Sequence, residues 1–131
     1  MSAERQAAQQ AHQAATAEVA RLAATAEAHP LLAAWNGPYG GVPPWDKVEV
    51  AQFPAAFETG IALRAAEIEA IATNPEAPSF ANTIGAMQDA GRHLSRANTL
   101  FAVHDNNLAT PEVQAVDAEW SPKLTAALKA V

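Results

Sequence analysis

The chain has 131 residues, of which 50% are hydrophobic, so it is long enough to bury one modest core and we expect a single globular unit. Its net charge of −6 argues against nucleic acid or an anionic membrane as partner, because binding to phosphate depends on Lys and Arg. The absence of cysteine excludes disulfides, thiolate metal sites and thiol nucleophiles.

Residues 1–28 are rich in Ala and Gln, and Val19 and Leu22 are their only large aliphatic side chains. Ala favours helix strongly, so the composition predicts a helix. A helix gains most of its stability by packing an apolar face, and this one has little apolar surface to pack. We therefore expect a helical arm without firm docking, followed by a domain over residues 29–131.

The composition of residues 1–28 also bears on the cellular compartment of the protein. Gln, Glu and Arg are spread through residues 1–28, where a secretory leader would have an apolar centre. The sequence also contains no apolar run of membrane-spanning length. We expect the chain as written to stay in the cytoplasm, whereas a parent protein is compatible with either the cytoplasm or the periplasm.

Residues 30–49 break every helical period with Gly and Pro, and they carry Trp35, Tyr39 and Trp45. A phosphate-binding Gly loop would need the Lys and Ser/Thr of a P-loop, or the strand context of a dinucleotide fingerprint, and the segment has neither. A ligand for an SH3-type groove would need a PxxP run. The segment is most simply a connection whose aromatic side chains pack over the helices.

The first strong helical pattern covers residues 50–73. Pro54 fits only in the first turn, which predicts a start near Gln52. Arg64 lies within the apolar arc, where we expect its stem to cover the core and its head to reach water or Glu67; a buried functional Arg is the alternative. The arc that we expect to face the core contains Phe53, Phe57, Ile61, Ala65, Ile68, Ile71 and Ala72.

The segment from Asn74 to Thr83 is a corner between two helices. Pro75 and Pro78 prevent the first helix from continuing, and Ser79 is placed to cap the next one.

That next helix is predicted from Phe80 to about His104. Gly91 lies in the middle of its apolar stripe and predicts a close helix crossing. Asn98, if buried, would need a hydrogen-bond partner, most simply a backbone carbonyl across the same interface. We expect Arg92, His93 and Arg96 on the opposite, solvent-facing side, and a solvent-facing His104. The predicted core stripe is Phe80, Ile84, Met87, Gly91, Leu94, Asn98 and Phe101.

After residues 104–109 end that helix, Thr110 is the predicted cap of a last helix that begins at Pro111. Pro122 should kink this helix, and no stop signal follows it, so we expect a truncated chain. The fold class is therefore all-α: an antiparallel helical bundle or set of hairpins, with three main helices and the Ala-rich N-terminal helix. The apolar side of the last helix comprises Val113, Val116, Trp120, Leu124, Ala127, Leu128 and Val131.

Several blocks of sequence occur in the order typical of one family. They are Pro43 to Val48, Phe53 to Ala55 with Gly60, Ile68 to Pro75, Pro78 to Ile84, then Gly91, Leu94, Arg96, Phe101, Thr110, Pro111, Gln114 and Pro122 to Leu124. In these blocks the chain resembles the N-terminal region of the thimet-oligopeptidase-like zinc metallopeptidases, nearest the bacterial peptidyl-dipeptidase Dcp and oligopeptidase A. Trp45, where Phe is common, and Ala81, where an acidic residue is usual, depart from the family pattern.

The resemblance implies a zinc enzyme whose catalytic motif, H-E-x-x-H with a downstream Glu, lies far beyond this segment. The four histidines here, at positions 12, 29, 93 and 104, contain no pair at i and i+4, and roughly 16 Å of helix separates the last two. We therefore predict no catalytic, cofactor-binding or metal-binding residue in this chain. Zinc and short peptide substrates would belong to the full-length parent.

Two functions remain open at this point. The first is an N-terminal helical fragment of a peptidase, non-catalytic by itself, that helps to wall the substrate channel and has the rest of the parent as its partner. The alternative is a free-standing helical interaction module related to the peptidase; an open reading frame that continues into H-E-x-x-H would decide between them. The apolar stripes that the parent would cover also predict a homo-oligomer, most simply a symmetric dimer through Trp120, Leu124 and Leu128.

Overall fold

The computed structural model describes residues 2–130, so the predicted place of Val131 on the apolar side of the last helix lies outside the described residues. Within that range the chain forms helices and loops without a β-strand, which confirms the predicted all-α class. Short turns lie between the long helices: Pro38–Gly41, Trp45–Lys47, Val50–Gln52, a π-helical turn at Phe80–Gly85 and an α-helical turn at Ala86–Asp89. The four long helices are α1 (Ala3–Glu27), α2 (Phe53–Ala72), α3 (Arg92–Asn107) and α4 (Pro111–Lys129).

Helix α2 is the centre of the bundle and contacts the other three long helices. His12, in the first half of α1, bonds to the Ala70 carbonyl near the end of α2, so these two helices are antiparallel. Phe53, at the start of α2, packs on Phe101 late in α3, so α3 is also antiparallel to α2. Helix α4 runs parallel to α2. Helices that are consecutive in the chain therefore alternate in direction, as in an up-down bundle.

The core is built around aromatic rings from α2, α3 and α4. Phe53 and Phe57 each contact Phe101 edge to face, with ring centroids 5.1 and 5.4 Å apart, and Trp120 lies 5.8 Å from Phe57. Such pairs contribute about 0.5–1.5 kcal/mol each beyond the area that they bury. These contacts fix how α3 and α4 lie on α2.

The expectation of a loosely docked arm is wrong, because α1 packs along α2. Leu22 and Ala26 belong to the same buried cluster as the α2 phenylalanines, and Ala15 is buried too. Small Ala side chains bury little area each, but they let two helices approach closely over a long contact. Immediately after α1, Leu31 and Leu32 are completely buried, so the start of the predicted loop also belongs to the core.

The boundaries of α2 agree with the sequence, but its buried face does not. The helix begins at Phe53 with Pro54 in its first turn, as predicted. Ala65 and Ala72, assigned to the core arc, are exposed, whereas Leu63 is buried. A central helix is covered from several directions, so its buried residues do not form the single stripe that the arc assumed.

The helix predicted from Phe80 to His104 is broken. Ala90 has an extended backbone (φ −63°, ψ 136°) and Gly91 a left-handed one (φ 81°), and α3 starts only after them. The break turns the preceding segment away from the bundle, leaving Phe80 72% and Ile84 53% exposed.

After the break, the core stripe predicted for this helix is confirmed only in part. Leu94 and Phe101 are buried, but Asn98 is exposed, and Ala97 and Leu100 take the buried positions beside them. Asn98 was expected to need an interfacial hydrogen bond only if buried, and its side chain is exposed. The predicted stripe assumes one continuous helix, whereas the left-handed backbone of Gly91 breaks it before α3 begins.

The predicted helix starts are confirmed at both corners. Ser79 Oγ accepts a bond of 3.1 Å from the Asn82 amide, and Asn82 Oδ1 accepts one of 2.7 Å from the Ser79 amide. Thr110 Oγ1 accepts from the Val113 amide at 3.3 Å, with Pro111 next in the chain. Both caps satisfy helix N–H groups that would otherwise lack partners.

Helix α4 stays helical through Pro122, and the residues predicted to form a dimer are largely used inside the chain. Trp120 and Leu124 are only 9% and 7% exposed, whereas Leu128 is 49% exposed. Two of the three residues predicted to form a dimer surface are therefore used inside the chain, and self-association stays a prediction. None of the helices over residues 2–130 has the length and apolar character needed to cross a membrane.

Candidate functional site

The connection from α1 to α2 folds back over the end of α1 and leaves an open cleft of about 600 Å³. Trp35 packs against the core, and Trp45 meets the His104 ring edge to face at 6.2 Å. Tyr39 is 96% exposed with a left-handed backbone (φ 58°). The predicted anchoring by aromatic side chains is therefore right for the two tryptophans and wrong for the tyrosine.

The cleft combines apolar walls with a few polar groups. Trp35 and nearby prolines supply the apolar surface, and Glu27, His29, Asp46 and Lys47 supply the polar groups. Burial lowers the pKa of His29, which favours the neutral imidazole. Its Nδ1 accepts a bond of 3.2 Å from the Leu31 amide, so the remaining ring nitrogen carries the proton and can donate.

A polar cluster at the rim of this cleft ties α1 to α3. His93 Nε2 lies 2.8 Å from Glu27 Oε1, and Arg96 Nη1 lies 3.8 Å from the same oxygen. The hydrogen bond from His93 is the main cause that holds the pKa of Glu27 below its usual value, and the Arg96 charge acts in the same direction. The Arg96 guanidinium also donates to the Leu32 carbonyl at 2.9 Å.

The cluster corrects the expectation that His93 and Arg96 face solvent. Their side chains are only 19% and 24% exposed. The sequence pattern places them opposite the core stripe, but Glu27 at the end of α1 and the Leu32 carbonyl just after it contact that side of α3. These side chains link the helices to each other, since each has a hydrogen-bond or ion-pair partner within the chain.

The remaining histidines lie apart from this cluster. His12 Nδ1 is 2.8 Å from the Ala70 carbonyl, and His104 is half-buried against Phe53, with ring centroids 5.7 Å apart. The expectation that His104 faces solvent is therefore wrong. Among residues 2–130, no three His, Asp or Glu side chains lie together in a group that could hold a metal ion.

A further polar contact that the sequence pattern did not predict joins α2 to α4. The Arg64 guanidinium donates to the Ala127 carbonyl near the end of α4 at 2.8 Å, instead of reaching water or Glu67. Glu67 is half-buried, and burial raises the pKa of its carboxyl. No local signal could predict the bond from Arg64, because its acceptor is 63 residues away in the chain.

Two curated proteins are similar to this chain in sequence. The dipeptidyl carboxypeptidase of Salmonella typhimurium is 35% identical over 102 residues, which are 75% of this chain and 14% of that protein. The dipeptidyl carboxypeptidase of Escherichia coli is 35% identical over 100 residues, 73% of this chain and 14% of its own length. This chain is related to the bacterial dipeptidyl carboxypeptidases.

The relation to the dipeptidyl carboxypeptidases confirms the resemblance predicted from the sequence blocks. The chain spans 14% of the length of each of these two relatives. No family model matches the chain, and no solved structure matches it.

Proposed function

We propose that this chain is the N-terminal helical part of a zinc-dependent oligopeptidase or dipeptidyl carboxypeptidase that hydrolyses short peptides, and that it helps to wall the substrate channel. The observation that carries the proposal is the 35% identity to dipeptidyl carboxypeptidases over 75% of the chain. Residues 29–131 would form the N-terminal domain, onto which α1 packs as a fourth helix.

The isolated chain has no catalytic role in this proposal. Zinc hydrolysis needs two histidines and a third ligand around one ion, with a carboxylate that activates the bound water. The polar groups that come together here are Glu27, His93 and Arg96. They bond to one another and to the Leu32 carbonyl, which indicates a structural role in holding helices together. The catalytic ligands would come from the part of the parent outside these 131 residues.

Expression of the complete gene product tests the proposal. We expect it to release dipeptides from the C-terminal end of a short N-terminally blocked peptide, as followed by mass spectrometry, and to lose this activity when a zinc chelator is added. Cleavage only at internal bonds would instead indicate an oligopeptidase. A reading frame that stops at residue 131 would overturn the proposal in favour of a free-standing interaction module.

The 131-residue chain alone is the matched control for this experiment. It should neither cleave the peptide nor retain zinc after dialysis against a weak chelator. Stoichiometric zinc in the dialysed chain would contradict the proposal that the zinc ligands lie outside these 131 residues.

A further inference from the structure

The open cleft between the end of α1 and the connection to α2 has a volume of about 600 Å³, which is within the range of small-ligand sites. Two arms of the connection that lie side by side form one of its walls. A β-carbon on Gly41 would clash with the Trp35 carbonyl oxygen, and one on Gly37 would lie 3.8 Å from Val42 Cγ2. The glycines therefore let the two arms pack closely, and the shape of the cleft is built into the connection.

Much of the surface of the cleft is apolar. Val42 is 43% exposed, so its side chain has surface that a ligand can cover. Proline rings and Trp35 have few rotatable bonds, so contact with them costs little conformational entropy. The larger apolar residues that line the cleft are Pro30, Trp35, Pro38, Val42, Pro43 and Pro44.

Several hydrogen-bond donors that line the cleft have no acceptor in the part of the chain that the structure describes. His29 Nδ1 accepts from the Leu31 amide, so the other ring nitrogen carries the proton, and it donates to no group there. The amides of Asn36, Gly37 and Val42 likewise donate to no other described residue. Gly37 and Val42 are extended, with ψ of −169° and 153°, and an extended backbone can pair with a peptide strand.

The charged groups of the cleft are balanced. The Glu27 carboxylate lies 2.8 Å from His93 Nε2 and 3.8 Å from Arg96 Nη1. Asp46 and Lys47 are adjacent in the chain and have opposite charges. A charged ligand would therefore find no unbalanced group of opposite sign, and the net charge of −6 on the chain opposes an anion further. The cleft suits an uncharged ligand that contains hydrogen-bond acceptors.

We propose that the cleft binds a short, uncharged stretch of extended peptide that belongs to a separate molecule. Each peptide unit carries one C=O acceptor and one N–H donor, so successive carbonyls can accept from the His29 ring and from the amides of Gly37 and Val42. One apolar side chain of the peptide packs on Val42 and the neighbouring prolines. The open side of the cleft gives the peptide a path of entry from solvent. Binding needs no zinc, so this inference stands apart from the proposed function.

Titration of the isotopically labelled 131-residue chain with N-acetyl-Ala-Leu-Ala-amide, followed by NMR, tests the inference. The peptide is blocked at both ends and carries no charge. We expect saturable shifts of the amide signals of Asn36, Gly37 and Val42, whereas those of Asn82 and Thr83, beyond the far end of α2, stay in place. The absence of saturable shifts at the cleft, or equal shifts at both places, would overturn the inference.

Three related peptides test the chemistry of the ligand. Replacing the Leu by Gly should weaken binding by at least about threefold, because the apolar side chain is lost. The free-acid and free-amine forms should bind no more tightly than the blocked peptide. Tighter binding of either charged form would identify a site for a charged group and overturn the inference, as would equal binding of the Gly peptide.

His29→Phe removes the ring donor and should weaken binding of the blocked peptide about three- to tenfold, the usual net effect of one hydrogen bond. His12→Phe is the matched control, because His12 bonds to the Ala70 carbonyl and does not line the cleft, so the affinity should not change. Circular dichroism checks that both variants keep their helix content. Equal effects of the two substitutions would overturn the proposed contact with His29.

The complete gene product, depleted of zinc so that the peptide is not cleaved, distinguishes a separate peptide from a segment of the parent. We expect it to bind the blocked peptide as the 131-residue chain does. Binding that is present in the 131-residue chain and lost in the complete product would show that the parent covers the cleft. That result would overturn the assignment to a separate molecule.

Discussion

Gly60 on α2 lies directly against Leu94 on α3. A β-carbon on Gly60 would be 3.0 Å from Leu94 Cδ1 and 3.1 Å from Leu94 Cα. The second of these atoms belongs to the backbone and cannot rotate away, so the two helices cross where α2 has no side chain. This is the close helix crossing that the sequence pattern had assigned to Gly91.

Gly60→Ala should destabilise the protein by about 1–3 kcal/mol, because the added methyl overpacks the crossing and outweighs the gain of about 1 kcal/mol in helix propensity. Urea denaturation followed by circular dichroism measures the change. Gly85→Ala is the control, since a β-carbon there meets only the Phe80 carbonyl oxygen at 3.5 Å, an ordinary contact. An equal or smaller loss at position 60 than at position 85 would contradict the close crossing.

Gly91→Ala should cost about 1–2 kcal/mol, because residue 91 has a left-handed backbone with φ of 81°. The new methyl would also lie 3.1 Å from Arg64 Cδ. Gly91→Asn adds the same β-carbon, but Asn tolerates the left-handed region better, so it should be less destabilising. Thermal melts of both variants distinguish backbone strain from crowding, and a melting temperature raised by Gly91→Ala would indicate one continuous helix.

Arg64→Met keeps most of the apolar stem but removes the guanidinium that donates to the Ala127 carbonyl. We expect a loss of about 1 kcal/mol and faster amide hydrogen exchange in the last turn of α4. Arg92→Met is the matched control, because the Arg92 and Asp89 side chains are 66% and 67% exposed and such pairs contribute little. Similar effects of the two substitutions would show that the contact with α4 does not matter.

Glu27→Gln should destabilise the protein slightly at neutral pH, by well under 1 kcal/mol, because the Glu27 side chain is 52% exposed and solvent screens its charge. The pKa of Glu27 in the folded protein lies below its ordinary value of 4.5, chiefly through the hydrogen bond from His93. Its stabilising effect is therefore present above about pH 4.5 and is lost as the pH falls through the lowered value.

Urea denaturation of the two proteins between pH 3 and pH 7 measures this difference, which should close at the acidic end of the series. Arg96 is close enough to share the effect and stays charged throughout. A gap between the two proteins that is constant over this range would show that Glu27 acts through packing and not through its charge.

Features of this fold that have a local cause can be read from the sequence. Ser79 and Thr110 cap their helices, and Pro54 marks the start of α2, because each of these features depends on residues within one helical turn. The family relation was also readable, since it rests on ordered blocks of sequence and needs no coordinates.

Burial that depends on residues distant in the chain cannot be read from the sequence. The Ala-rich first helix has too little apolar surface to predict firm docking, yet its small side chains fit closely along α2. The polar cluster of Glu27, His93 and Arg96 followed from that docking and could not be predicted, because its members come from two helices about 66 residues apart in the chain.

The sequence by itself thus determined the all-α class, the corner at Asn74–Thr83, the helix starts and the relation to dipeptidyl carboxypeptidases. Only the tertiary structure decided which sides of the helices are buried, because α2 contacts three neighbours and a helical period describes one face at a time. It also decided the role of Gly91. A glycine at this position fits either a close helix crossing or a left-handed break in a helix. The structure has the left-handed break, and the Arg64 side chain lies next to Gly91.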